Sequence, residues 1–289
     1  MLIPAYNHER YVQETILSII NQTYENIELL IINDGSSDST YDKICDMEIL
    51  CRKRFEHFYF KTQRNKGTCE TLNSLINMSH GEFIFIIASD DIAAPHAIET
   101  EFNFIINNSD YVLCVGANDI IDENSFRCFW DHNRKNVYDM LSAEYFSFSD
   151  YLKKFAPDVD FLSEEFGTYY NLLISHNHIP NGYLIRKSIF EKTGLCIKEA
   201  PMEDYWMLLQ ISKYGKMKYI NNTLFYYRWH GKNQILNSGI KFWETLLYEC
   251  KKIPIFKNLE EMEGLPEEKM KNMRKKGKEL KKYIETIKV

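Results

Sequence analysis

Apolar residues recur along the first half of the chain in two alternating patterns. Val12, Ile16, Ile19 and Ile20 fall on one face at helical spacing within residues 11–22. The run from Ile27 to Ile32 is instead nearly all apolar, and it stops abruptly at Asn33-Asp34-Gly35-Ser36-Ser37-Asp38. Residues 68–78 read as a second helix, broken by Gly81. Phe83 to Ile87 (FIFII) then forms a second buried strand that stops at Ser89-Asp90-Asp91, and residues 111–117 make a third. Near-continuous apolar strands separated by helices predict an α/β fold, a mostly parallel central sheet flanked by helices on both faces. Ligands of such sheets bind beyond the carboxyl ends of the strands. Two strands here deliver aspartate-rich loops to that edge, which is the first functional signal.

Residues 119–180 are irregular, aromatic and polar, as expected of helices and a mobile loop shaping a second substrate site. Regularity returns at Gly182 to Ile185, followed by a helix over 203–214 and strands over Met217–Ile220 and Leu224–Tyr227. Residues 238–289 read as helices, with Gly264-Leu265-Pro266 separating the last one. The pattern divides the chain into a ligand-binding half (1–118), a second-substrate and catalytic half (119–235) and a C-terminal helical extension (236–289).

Charge changes this picture at the end of the chain. Lys269–Val289 holds nine Lys/Arg against two Glu, leaving a body with 26 basic and 39 acidic side chains. An acidic body excludes nucleic acid as the expected partner. Within the basic tail, Met270, Met273, Gly277, Leu280, Ile284 and Ile287 form one apolar stripe at 3–4 spacing. Such a stripe suits a membrane surface, a helix partner (self-association included) or packing on the chain's own domain, and the spacing alone does not choose. No stretch reaches the roughly 18–20 apolar residues that span a bilayer, and no signal peptide opens the chain. Seven cysteines without metal-type spacing are expected to be reduced thiols of a cytoplasmic protein.

Several short clusters carry chemistry, each with a plainer alternative. Adjacent Asp90 and Asp91 after a buried strand repel each other unless a cation neutralises them, and Mg²⁺ or Mn²⁺ with substrate phosphates does this commonly. Asp91 could equally cap the following helix. Asp34 sits in a turn that Gly35 permits, and a carboxylate there could accept from a nucleobase N–H. Tyr6, after Pro4 at the end of the first strand, could stack on that base. Glu203-Asp204 opens a helix, whose positive end favours carboxylates in a catalytic or a merely capping role. Arg228, His230 and Lys232 follow a strand and could meet a phosphate. His176-Asn177-His178 lacks a third ligand and makes a weak metal pair, so an acceptor contact or no role is the expectation there.

Pro4-Ala5-Tyr6-Asn7, Asn33 to Asp38, Asn65-Lys66-Gly67, Gly81-Glu82 with Ser89-Asp90-Asp91, and Glu203-Asp204, taken as an ordered set over residues 1 to about 235, resemble the inverting family-2 glycosyltransferases of GT-A, Rossmann-type fold. The resemblance implies a nucleotide-sugar donor of UDP or dTDP type, a divalent cation, and a glycan or lipid-linked acceptor of bacterial surface-polysaccharide type. It places Pro4, Tyr6 and Asp34 at the base, Arg64 close to the nucleotide and Asp90 at the ribose or diphosphate. It makes Asp91 a metal ligand with His230 beside the metal, Asp204 the general base, and Glu203 an orienting group. Two departures stand out. Ala88 occupies the first position of the family's D-x-D-D, implying a leaner metal site. Relatives carry several apolar residues before the Pro, implying a natural start upstream of Met1. A lipid-linked acceptor would bring the basic tail to the inner face of the membrane.

Acidic metal loops also serve nucleotidyltransferases, and a scaffold that binds sugar nucleotides without turnover would keep much of the pattern. The absence of G-x-x-x-x-G-K-[ST] removes a P-loop enzyme.

Overall fold

The computed structural model describes residues 1–231, 233, 238–256 and 266–287. Its first half alternates strands and helices: β1 (Leu2–Ala5), α1 (Val12–Ile20), β2 (Glu28–Asn33), α2 (Thr40–Asp46), α3 (Glu48–Arg54), β3 (His57–Thr62), α4 (Thr68–Met78), β4 (Phe83–Phe85), β5 (Ile92–Ala93) and α5 (Ala97–Ile106). The second half holds β6 (Tyr111–Ile121), β7 (Arg127–Trp130), β8 (Asn136–Val137), α6 (Phe148–Phe155), α7 (Tyr169–Ile174), β9 (Tyr183–Arg186), α8 (Phe190–Thr193), α9 (Glu203–Ile211) and β10 (Lys216–Arg228). Three helices follow: α10 (Ser238–Cys250), α11 (Pro266–Lys275) and α12 (Gly277–Ile287). None of the described helices is long and apolar enough to cross a membrane.

The strands β3-β2-β1 pair in parallel, and β1 continues onto β4 where Ile87 N donates to Leu2 O at 3.1 Å. Beyond β4 the order is β9-β6-β10-β5, with β6 and β10 parallel and β9 and β5 antiparallel to their neighbours. The sheet is therefore mixed. Its parallel β1-β2 side reads as apolar runs because both faces are covered. Ile3, Leu29 and Ile31 pack with Val12, Ile16 and Ile19, while Leu2, Leu30 and Ile32 pack on Leu75 and Ile76 of α4. Removing side chains of this size from water contributes roughly 1.5–3 kcal/mol each.

Residues 216–228 form one strand rather than two. The polar pair Asn221-Asn222 looks like a turn in sequence, but the register against β6 slips between Ile220 and Phe225, so a bulge absorbs it. Ridding this region of a turn lets β10 carry Arg228 to the carboxyl edge. β6 likewise runs past residue 118 to Ile121, so the ligand-binding and catalytic halves share a strand. Residues 119–180 are aromatic because they build a core of their own, with Trp130, Phe148, Phe166 and Tyr169 packed against Tyr205 and Tyr219.

The tail's apolar stripe faces inward. Met270, Met273, Leu280 and Ile284 are buried in that same core, α11 and α12 both touch α7, and a Cβ on Gly277 would lie 2.7 Å from the Tyr170 hydroxyl. Packing on its own domain thus accounts for the stripe. The Ile287 side chain, the 264–265 break and Lys232 lie outside the described residues. All seven cysteines are free of disulfide bonds, and five are buried.

Candidate active site

A cavity of about 300 Å³ opens at the carboxyl edge of the sheet. Into it come Pro4, Tyr6 and His8 after β1, Asp34 after β2, Asp90 and Asp91 after β4, Glu203 and Asp204 at the start of α9, and His230 after β10. The aspartates expected to share a cleft do share one. Two hollows of about 940 and 850 Å³ lie elsewhere; the first is lined by glutamates with His57 and His80, but among the described residues neither brings three metal-type ligand atoms together. Arg64 is the exception among the expected residues: it is exposed on the 63–67 loop and is not part of the cavity wall.

The β1 and β2 loops are tied to each other before any ligand arrives. Asn7, in a left-handed conformation at φ 53°, accepts from Ser37 N at 2.8 Å and donates its own N–H to Ser36 Oγ at 2.9 Å. Gly35 has φ +72°, and a Cβ there would lie 2.6 Å from Asn65 N, so only glycine lets the β2 loop meet the 63–67 loop. The buried Asp34 carboxylate accepts from Gln63 Nε2 at 2.8 Å, Lys66 N at 2.9 Å and Gly67 N at 2.8 Å. Most of its acceptor capacity therefore holds the loop that leads into α4. Tyr6 stands 44% exposed at the lip, its ring face available for stacking.

The metal-type donors are His8, Asp90 and His230, whose ligand atoms all lie within 4.8 Å of one another. His230 Nε2 is 3.1 Å and His8 Nε2 3.6 Å from Asp90 Oδ2. Ligands at about 2.1 Å around an octahedral ion sit about 3 Å apart, so the spacing suits one face of a small divalent cation. His8 Nδ1 lies 2.8 Å from Ser89 Oγ, which turns Nε2 toward the carboxylate as outer-shell partners of ligating histidines do. Two imidazoles and one carboxylate favour Mn²⁺ over Mg²⁺, which prefers oxygen. Burial opposes ionisation of Asp90, but the His230 hydrogen bond and the charges of His8 and His230 prevail and hold its carboxyl below the usual range.

Asp91 behaves differently from the metal ligand expected of it. It is almost fully buried, and its Oδ1 accepts from the backbone N–H of Arg228 at 2.9 Å. Burial, and then the neighbouring Asp90, push its carboxyl well above the usual range. Asp90, not Asp91, faces the imidazoles. Arg228 is not a phosphate ligand either. Its fully buried guanidinium donates to Asp90 O at 2.6 Å, Ser125 Oγ at 2.7 Å and Glu14 Oε2 at 2.6 Å, and lies over the Tyr11 ring. It staples the aspartate loop to α1 and the β6–β7 turn.

Across the cavity, Glu203 and Asp204 open α9, which has no side-chain cap of its own. Asp204 Oδ1 accepts from Tyr205 N at 2.6 Å, and Asn177 Nδ2 donates to Oδ2 at 3.3 Å. Burial raises the Asp204 carboxyl above the ordinary range, and burial followed by Asp204 itself raises Glu203 to about 7. Lys241 of α10 also lines the cavity and partly offsets that effect on Glu203. Of His176-Asn177-His178, the middle residue enters the site. The His176 ring sits between Phe155 and Phe242, and the buried His178 Nδ1 lies 3.0 Å from His176 O. Neither histidine makes a metal pair.

The sequence reading missed His8 and Lys241, and took Asn177 only as part of a segment that contacts the acceptor or does nothing. His8 had a usable signal, a histidine two residues after the Tyr6 that ends the β1 edge. Lys241 had none, because only tertiary packing brings α10 to α9.

Residues 1–192 match the family model described as Glycosyl transferase family 2. The chain is 26% identical over 239 residues to Glycosyltransferase GlyG of Streptococcus pneumoniae, a match covering 79% of this chain and 69% of that protein. S. aureus TarS 1-349 in complex with UDP-GlcNAc aligns with a TM-score of 0.60 at 15% identity over 86% of this chain and 65% of that one. The mannosyltransferase PcManGT from Pyrobaculum calidifontis, in complex with GDP-Man and Mn²⁺, aligns with a TM-score of 0.58 at 12% identity, over 87% and 62%. The chain thus spans just under two thirds of either solved structure, and at such identities the likeness shows the fold alone, which is GT-A. A family match over about two thirds of the chain, including the strands that lead to Asp34, Asp90 and Asp91 and ending before α9 and β10, settles its membership: this chain belongs to glycosyl transferase family 2.

Proposed function

We propose that this chain transfers a sugar, with inversion, from a nucleotide diphosphate sugar of UDP or dTDP type to a hydroxyl of a glycan or lipid-linked acceptor. The observation that carries the reading is that one cavity holds a His8-Asp90-His230 cluster on one side and the buried pair Glu203-Asp204 on the other. On the donor side, Asp90 is kept ionised between His8 and His230, suited to a cation. On the acceptor side, burial raises the Asp204 carboxyl above its ordinary range, and burial with Asp204 beside it raises Glu203 to about 7.

In this reading Tyr6 stacks on the base, and Asp34 holds the 63–67 loop against it. His8, Asp90 and His230 would hold Mn²⁺, which when bound supplies positive charge to a departing diphosphate. Asp204 takes the proton of the acceptor hydroxyl. That oxygen forms the bond to the anomeric carbon from the face opposite the leaving group, and the bond from the anomeric carbon to the diphosphate oxygen breaks. Glu203 keeps the Asp204 environment poorly solvated and proton-holding. Positioned proton transfer of this kind contributes about 10²–10⁴ in rate. The TarS structure with UDP-GlcNAc and the PcManGT structure with GDP-Man and Mn²⁺ support a nucleotide-sugar donor and leave the base open.

The test is incubation of the chain with UDP-, dTDP- and GDP-sugars plus Mn²⁺, reading the released nucleotide. Nucleoside diphosphate appearing with a glycosylated hydroxyl acceptor supports the reading, and pyrophosphate would point to nucleotidyl transfer instead. The exposed Lys271, Lys275, Lys278 and Lys282 of α11 and α12 suit peripheral contact with an anionic membrane surface, each worth about 1 kcal/mol. The expected outcome is co-sedimentation with phosphatidylglycerol vesicles at low salt, lost when all four become Glu. Equal pelleting by the two proteins would remove membrane contact from the proposal.

A further inference from the structure

The backbone just before Asn177 is unusual. Among the described residues His176 is one of four non-glycine residues with positive φ, at 62°. A histidine takes this conformation at some cost, and surroundings must hold it there. They do: the ring lies 4.8 Å from Phe155 of α6 and 4.8 Å from Phe242 of α10, and Phe242 in turn stacks on Tyr205 of α9 at 4.6 Å. Three helices that surround the acceptor side are therefore pinned to this one turn.

The turn points Asn177 into the cavity with both ends of its amide assigned. Oδ1 accepts from Ile179 N at 3.3 Å, which fixes the amide's orientation. Nδ2 then donates to Asp204 Oδ2 at 3.3 Å. Asp204 Oδ1 is already taken by Tyr205 N at 2.6 Å, so Asn177 is the side chain that controls the second carboxylate oxygen. We propose that Asn177 is a positioning residue that holds Asp204 Oδ2 toward the acceptor hydroxyl and favours the charged, proton-accepting form. The inference rests on Asp204 being the general base.

An N–H donor lowers the free energy of the carboxylate relative to the acid. The other titratable or charged groups facing Asp204 are Glu203 on its own helix, Cys196 in the loop before it, Tyr183 of β9 and Tyr227 of β10, with Lys241 of α10 acting on Glu203. None of the four that face Asp204 supplies the positive charge or amide donor that would replace Asn177.

The discriminating variant is Asn177→Asp. It is nearly isosteric, keeps the acceptor for Ile179 N, and exchanges only the donor to Asp204 for a like charge. The pH profile of kcat is expected to move its acid limb upward by about one pH unit, with a roughly tenfold loss on the acid side of the limb and donor KM within about twofold. Asn177→Ala should shift the limb the same way by less. A purely structural residue would lower kcat with the limb in place, and coincident limbs in both variants overturn the proposal. Asp204→Asn in the same assay separates the two ideas. If it stays active, the base assignment fails; if it is dead while Asn177→Asp keeps the wild-type limb, only the positioning role fails.

Discussion

The two carboxylate pairs of this cavity have nearly the same composition and opposite chemistry. Asp90-Asp91 follows a buried strand, and Glu203-Asp204 opens a helix. Both pairs are poorly solvated, and in both the desolvation of one acid by burial is made worse by its neighbour. The difference is what faces them. Two imidazoles and a staple from Arg228 meet the first pair, so Asp90 ionises readily and Asp91 is held by a backbone N–H. The second pair meets one amide, one backbone N–H and a lysine at the mouth, so both of its carboxyls stay raised, as Asp91 does, and neither is lowered as Asp90 is. Residue type alone does not give a carboxylate its role; the sign of the charge set around it does.

The largest expected effect breaks the acceptor side. Asp204→Asn should cut transfer by at least about 10³-fold while donor binding, read by calorimetry or by protection against thermal unfolding, stays within about twofold. Turnover within tenfold of the wild type would remove the general base from the mechanism.

Much of this contrast was readable from sequence, and the unreadable part has a physical pattern. The runs ending at Asp34 and Asp90 mark strand ends because fully covered parallel strands are apolar on both faces. Glu203-Asp204 marks a helix start for the reason any carboxylate does. What a sequence lacks is direction. Adjacent Asp90 and Asp91 are indistinguishable until a strand from elsewhere arrives, and β10 decides between them by offering an N–H to one and His230 to the other. Arg228 looked like a phosphate ligand because buried and exposed arginines share one letter. β3 was missed because an edge strand alternates half-exposed and exposed positions and has no apolar run. Asn221-Asn222 resembled a turn because bulge and turn favour the same residues.

A middle-sized effect sharpens the donor side. Removing outer-shell partners of a ligating histidine costs about 10–100-fold in metal affinity, so a ligand itself should cost at least as much. Mn²⁺ titrated into metal-free protein, followed by its electron paramagnetic resonance signal, should bind more weakly by that factor in His8→Ala and in Asp90→Asn. Asp91→Asn should bind Mn²⁺ nearly as the wild type does. The reverse order, Asp91→Asn weak and His8→Ala normal, would return the cation to Asp91.

The smallest effect is on stability, and there Glu203 and Asp90 should differ in sign. Glu203 is raised from 4.5 to about 7 in the folded chain. Folding therefore takes up a proton between those values, and the stability tied to the neutral carboxyl is complete below about 4.5 and lost as pH climbs to about 7. Glu203→Gln, neutral at every pH, escapes that loss, a gain on the order of 3 kcal/mol at most near pH 8 that vanishes near pH 4. Asp90 is shifted the other way. Its contribution is present above the ordinary carboxylate range and disappears as pH falls through its depressed value, so Asp90→Asn should be less stable than the wild type at neutral pH and should match it only in acid. Thermal melts across pH in metal-free protein read both variants at once. Curves that move in the same direction would mean that burial alone governs both pairs, and the opposed preparation on which catalysis here depends would be absent.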